Sequence, residues 1–234
     1  MGEEHRDRLW RLVAERKGAG AWADAVCAAV LAVLPAVDGA AVSVRSTRRA
    51  QEVLATTDAW TARVEELHYA LGSGPSVEAF EHGRPVLVPD LAVDDQRWPV
   101  FTDSAVALGV GAVYAFPLQV GAVRLGTLTL YRRTRGVLRA GELETAVLLA
   151  EAALLGVLAD QRQADELPGS DRLDLHGGYQ DVHIATGMLA AELKIAIDDA
   201  FARLQAHAFS TGRSLLEVSR DVLERRLKWD RHAE

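Results

Sequence analysis

Toward the carboxyl end of this sequence, Lys194, Arg203, Arg213 and Arg220 lie among apolar residues at helical spacing. Ammonium and guanidinium groups held that way can grip phosphate oxygens. Arg213 directly precedes Ser214, which with Glu217 forms the S-x-x-E signature of a helix start, and a helix start itself favours an anion. The charge is local: nine Lys or Arg face eleven Asp or Glu over 171–234, so the basic groups read equally as a solvated face. No covalent chemistry is signalled. There is no P-loop, no H-E-x-x-H and no G-x-S-x-G, and the seven His are scattered without metal-ligand spacing. No catalytic residue and no metal site is assigned, and binding rather than catalysis is expected. Trp60, Trp98, Phe101 and Tyr114 are large enough to line a small-molecule pocket between a sheet and its helices, a role that core aromatics resemble in sequence.

Three helices must position the cations. Val182, Ala185, Leu189 and Leu193 share one face of the first. The second starts near Asp198 and Asp199, carries Ala200, Phe201, Leu204 and Ala208 as its apolar stripe, and stops at Gly212. The third follows the Ser214 cap with Leu215, Val218, Val222 and Leu223 inward. Phe201, Leu204 and Val218 are expected in the core. A glycine inside a helix costs on the order of 1 kcal/mol against alanine, so Gly187 is expected to admit a close neighbouring helix.

Ala185-Thr186-Gly187-Met188-Leu189, Asp199-Ala200-Phe201 with Leu204 and Ala208, and Ser214-Leu215 with Val218 and Val222 resemble the ANTAR domain, a helical RNA-binding module of transcription antitermination regulators. Thr186 stands where many members carry Lys, Gln205 where Arg is common, Ser219 where Ala is usual, and Ala196 where a capping side chain is usual. The resemblance implies a partner of structured hairpin RNA, contacted by Lys194, Arg203, Arg213 and Arg220. Two other readings stay open. The short Gly-containing connection at 209–213 suits a helix-turn-helix protein whose third helix enters a DNA groove, and the tail also suits a dimeric protein-interaction module.

At 234 residues, with 49% hydrophobic and 25% charged residues, the chain has room for about two globular domains. Its net charge of −7 restricts any nucleic-acid contact to a local patch. No apolar run approaches the ~20 residues that span a bilayer, and no membrane association is expected. The lone Cys27 excludes an internal disulfide and reads as a small buried hydrophobe, in keeping with a reducing cytoplasm. Helices are expected at 8–16, 21–34, 61–71 and 141–161, with another begun by Pro75 and stopped by Gly83. Strands are expected at 40–45, 52–57, 85–89, 110–119 and 122–132, the last two joined at Gly121. The fold class is α+β, an antiparallel sheet with flanking helices, followed by a small all-α three-helix domain.

Leu71-Gly72-Ser73-Gly74-Pro75-Ser76, Gly83-Arg84-Pro85-Val86, Arg97-Trp98-Pro99, and Phe116-Pro117-Leu118 with Leu125-Gly126-Thr127-Leu128 resemble a GAF domain of the kind that actinobacterial regulators place before ANTAR. That resemblance implies a small-molecule sensory domain at 6–163, a linker at 164–176 and an ANTAR-like domain at 177–230. Ser76 stands where many members carry Cys, and the acidic-aromatic motif of cyclic-nucleotide binders is not found. Ligand and cofactor stay unassigned. Over 141–161 two apolar stripes, Leu143, Val147, Ala150, Leu154, Val157 and Leu148, Ala152, Leu155, Ala159, run side by side. One stripe is expected to cover the sheet and the other a second copy, giving a homodimer.

Overall fold

The computed structural model describes residues 2–18, 20–45, 51–94, 96–166, 179–227 and 229. The chain divides into two compact units, Met1–Leu175 and His176–Glu234.

The first unit is built on a five-stranded antiparallel sheet. Its strands are β1 (Gly39–Arg45), β2 (Gln51–Thr56), β3 (Val86–Val88), β4 (Ala112–Val120) and β5 (Val123–Arg132), in the order β2-β1-β5-β4-β3. β4 and β5 form a hairpin whose two-residue turn begins at Gly121 with φ 57°. Side chains alternate across a strand, and both faces of this sheet are covered. Val42, Phe116, Leu118, Leu128 and Leu130 pack on one side with helices α2 (Trp22–Val33) and α6 (Ala140–Glu166). Ala41, Val113, Ala115 and Tyr131 pack on the other with α3 (Ala59–Leu71), α4 (Pro75–His82) and α5 (Pro99–Ala107).

Local chemistry accounts for the helix limits. The Asp58 carboxylate accepts from the Thr61 amide at 2.7 Å to open α3. Pro75 sits in the first turn of α4, and Gly83 ends that helix at φ 62°. Helix α1 (Gly2–Lys17), longer than the 8–16 expected, lies on α2 through Trp10 and Trp22, whose rings meet edge to face at 6.4 Å. Gly156 brings α6 onto α2: a methyl group there would lie 2.5 Å from Trp22 Cβ. α5 was absent from the expected helices because β-branched Val100 and Thr102 interrupt its signal.

The two-stripe expectation for α6 needs correction. Leu148, Ala150, Ala152 and Val157, drawn from both stripes, are buried within the chain, where α6 meets α1, α2, β4 and β5. Periodicity marked these positions as apolar but could not show that α1 and α2 cover this side of the helix. α6 also runs on to Glu166, past the expected limit at 161 and into the stretch expected as linker. The rest of that stretch, 167–176, lies outside the described residues.

In the second unit, α7 (Gln180–Leu193), α8 (Ile197–Thr211) and α9 (Leu215–Leu223) all touch one another. Val182, Ala185, Leu189, Ala200, Leu204, Ala208, Leu215, Val218 and Val222 form their core. The capping box at α9 is complete, with Ser214 Oγ accepting from the Glu217 amide and the Ser214 amide donating to the Glu217 carboxylate, both at 3.0 Å. Gly212 ends α8 in the left-handed region at φ 64°. Two expectations fail. Phe201 is only half buried, because the inward line of α8 is Ala200, Leu204 and Ala208. Gly187 is exposed and a methyl group there would meet nothing within 4 Å, so no helix approaches it among the described residues.

Candidate functional site

The chemistry of the first unit is concentrated beneath the sheet, on its α3–α5 side. β1 and β5 alternate apolar and polar residues, and since both faces are covered the polar set is buried: Ser43, Arg45, Thr127, Thr129 and Tyr131. Helix α3 adds Glu65 and His68, one turn apart on its inward face, and α4 adds Ser76 from its first turn.

These groups form one hydrogen-bonded chain. The Ser76 amide donates to His68 Nε2 at 3.3 Å. His68 Nδ1 lies 3.4 Å from the Tyr131 hydroxyl, which donates to Glu65 Oε1 at 2.5 Å. Gln51 Nε2 donates to Glu65 Oε2 at 2.9 Å, and Arg45, opposite Gln51 in the β1–β2 register, donates to Gln51 Oε1. With Nε2 accepting, the imidazole carries its proton on Nδ1, on the side of the Tyr131 hydroxyl oxygen. A branch joins Ser76 Oγ to Thr127 Oγ1 and Thr127 to Ser43 Oγ, both at 3.1 Å.

Burial tunes Glu65, His68 and Tyr131. Desolvation raises the Glu65 pKa above the ordinary carboxyl value, against the opposing pull of Tyr131, Arg45 and Gln51. Desolvation and then the Arg45 charge hold His68 well below its usual range, so its imidazole is neutral. Tyr131 is pushed well up by burial and by the Glu65 charge, and stays a hydroxyl donor. The resulting array has a cation at one end, a carboxyl in the middle and a neutral imidazole at the other end. Buried polar networks of this kind are demanding of geometry.

The four aromatics expected to line a pocket do not gather on one side of the sheet. Phe101 stacks on His68 with ring centroids 4.3 Å apart, and Gly74 fits against both rings. Trp60 meets Tyr131 edge to face at 6.2 Å, donates to the Leu108 carbonyl at 2.8 Å and lies under the Arg133 guanidinium. Trp98 is buried among α5-side residues beneath Arg97. Tyr114 belongs to the opposite core, where its hydroxyl donates to the Gly136 carbonyl. Its place in β4, one residue out of step with Val113 and Ala115, turns it away from the others.

In the second unit, the four basic candidates differ in their engagement. Arg213 pairs with Asp221 at 2.7 Å, and Asp221 also holds Arg226 at 3.4 Å. The Arg213 side chain is therefore drawn along α9, not left projecting beside the helix start as its position before the cap suggested. Arg220 pairs through Nε with Asp181 at 3.1 Å, tying α9 to α7. Lys194 caps α7 in the left-handed region at φ 57° and is exposed. Lys194 and Arg203 have no ion pair among the described residues. An open groove of about 540 Å³ lies between α1 and its neighbours, and another of about 520 Å³ lies along α7 and the end of α9.

Comparison with known proteins places the first unit. The family model described as GAF domain matches residues 21–157, more than half of the chain. The chain belongs to the GAF domain family. Solved GAF domains share the fold: that of an Acinetobacter phosphoenolpyruvate-protein phosphotransferase is 13% identical with a TM-score of 0.51, covering 69% of this chain and 96% of the other. Its counterpart from Coxiella burnetii is 16% identical with a TM-score of 0.52, covering 70% and 98%. No curated protein matches the chain.

A GAF domain indicates a signal-sensing, regulatory role, and the buried polar array lies within the matched residues. Of that array only Ser76 and Thr127 fall within the motifs that the sequence makes conspicuous. The alternation Thr127-Leu128-Thr129-Leu130-Tyr131 was visible, but such a pattern ordinarily marks a strand with one wet face. Cys27 is a buried thiol whose pKa burial pushes up to about 12, leaving it inert as a nucleophile. No helix among the described residues is long and apolar enough to cross a membrane, and no group of His, Cys, Asp and Glu among them can hold a metal ion.

Proposed function

We propose that the chain is a ligand-sensing transcription antitermination regulator, in which a small molecule taken up by the GAF domain governs binding of hairpin RNA by the His176–Glu234 unit. It acts by binding and not by catalysis, in the cytoplasm, as a homodimer that presents two such units to paired hairpins. The observation that carries this reading is the second unit: three short capped helices on the positions of the ANTAR resemblance, the apolar ones inward and Lys194 and Arg203 outward without internal ion pairs among the described residues. Arg213 and Arg220 each spend part of their donor capacity on a carboxylate. A guanidinium carries five N–H donors, so one such pair leaves it able to meet phosphate as well.

The test is a salt titration of hairpin affinity for Lys194→Ala, Arg203→Ala, Arg213→Ala and Arg220→Ala in the full chain, with duplex DNA as competitor. Each lost phosphate contact is expected to weaken binding and to lower the salt slope by about one unit. The Lys194 and Arg203 variants should keep the wild-type melting temperature. The Arg213 and Arg220 variants should lose no more than the ~1 kcal/mol of an exposed ion pair. Wild-type affinity in all four overturns the reading in favour of a protein partner, and preferential competition by duplex DNA overturns it in favour of helix-turn-helix binding.

A further inference from the structure

Arg45 and Glu65 are almost wholly buried, 5% and 0% exposed, and between them lies the side-chain amide of Gln51, 3% exposed. The amide oxygen accepts from the guanidinium and the amide nitrogen donates to the carboxyl. Burying a cation and a carboxyl is costly, and a well-packed apolar pair is often at least as stable in such a place. Stability therefore does not account for them. The Thr129 hydroxyl is fully buried beside Glu65, near enough to favour its charged form, and makes no hydrogen bond of normal geometry among the described residues.

We propose that the buried Arg45–Glu65 pair is a recognition site for a small zwitterion of the α-amino-acid class, and that the Gln51 amide occupies its place in this structure. The inference rests on the sensory reading of the GAF domain and adds to it the ligand's chemistry. Charge decides the class. Both Glu65 oxygens accept, from Gln51 and from Tyr131, which favours the carboxylate form against its burial; a simple anion that satisfied Arg45 would then face that carboxylate, and a simple cation that satisfied Glu65 would face Arg45, each at low dielectric where like charges repel strongly. A carboxylate and an ammonium borne by one carbon reproduce the polarity of the Gln51 amide at nearly its spacing and leave the site neutral. The ligand carboxylate accepts from Arg45; its ammonium donates to Glu65 and to the Thr129 hydroxyl. Gln51 is suited to give way, because it is the first residue of β2, an edge strand held on one side only.

The experiment is thermal denaturation of the full chain titrated with a panel of L-α-amino acids, with acetate, methylamine and acetamide as partial probes. At least one amino acid is expected to raise the melting temperature by mass action, while acetate and methylamine do not. Arg45→Gln and Glu65→Gln should each weaken the midpoint by about 30-fold or more, the effect of unpairing a buried charge. The double variant Arg45→Gln/Glu65→Gln carries neither charge, so it tests the response in a chain free of the unpaired group. Gln51→Ala removes the competing amide and should bind the same amino acid more tightly than wild type, and acetamide as well. A response to acetate alone, an undiminished response in the double variant, or weaker binding by Gln51→Ala would each overturn the proposal. A shift produced by another class of small molecule and unaffected by these variants would overturn it while leaving the sensory reading intact; no shift from any small molecule would remove both.

Discussion

Ser219 sits fully enclosed in the second unit, and its hydroxyl has no hydrogen-bond partner among the described residues. A buried unsatisfied hydroxyl costs roughly 1–3 kcal/mol, and replacing it with hydrogen, as alanine does, removes that cost without opening a cavity larger than one atom. Ser219→Ala is therefore expected to stabilise the unit by about 1 kcal/mol and to raise its melting temperature by about 4–8 °C, measured by circular dichroism. An unchanged or lower melting temperature would place a partner at that oxygen. Thr186, the other departure from the resembled pattern in this core, differs in kind: its hydroxyl donates to the Val182 carbonyl at 2.6 Å and is satisfied by its own helix. Its inward position also shows why a Lys at 186 would not simply add a surface cation.

Among the helices, two glycines that look alike in sequence have opposite surroundings. At Gly156 the α6 backbone rests on Trp22, so Gly156→Ala must push α6 from α2 and should cost about 1–3 kcal/mol by overpacking. At Gly187 space is open, so Gly187→Ala should stabilise α7 by up to ~1 kcal/mol through helix propensity. Urea denaturation of the two variants beside wild type checks both signs. The capping box, the Gly212 stop and the Pro75 start were legible because they are local, each fixed by residues within one turn. Phe201 was misjudged because an apolar residue at the margin of a stripe is buried or not according to its neighbours, which its own helix does not specify.

For the whole chain, the expectation of a homodimer now rests on what α6 leaves uncovered. Val147 is 39% exposed and Leu155 50%, and Leu31 of α2 is 40% exposed. These positions replace the full second stripe as the candidate contact. Val147→Glu and Leu155→Glu should convert a dimer to a monomer in sedimentation, with the melting temperature shifted only by lost association. A dimer mass unchanged in both variants would move the interface elsewhere.

The sequence by itself determined most of the alternation of strands and helices, the starts and stops at Pro75, Gly83, Gly212 and Ser214, and the change from a sheet-based amino-terminal part to a helical tail, since these follow from period, capping and turn chemistry over short spans. It did not disclose the polar array under the sheet. Arg45, Gln51, Glu65, His68 and Tyr131 come from two paired strands, a helix and a third strand, and each alone reads as an ordinary surface or core residue. Only the tertiary structure, by covering both faces of the sheet, turned the outward half of each strand inward and made its polar groups find one another. The same lesson separates Tyr114 from Phe101, and Arg213 from Arg203. Which side of a sheet an aromatic joins, and whether a cation meets a carboxylate, is decided by packing partners beyond its own helical turn or strand.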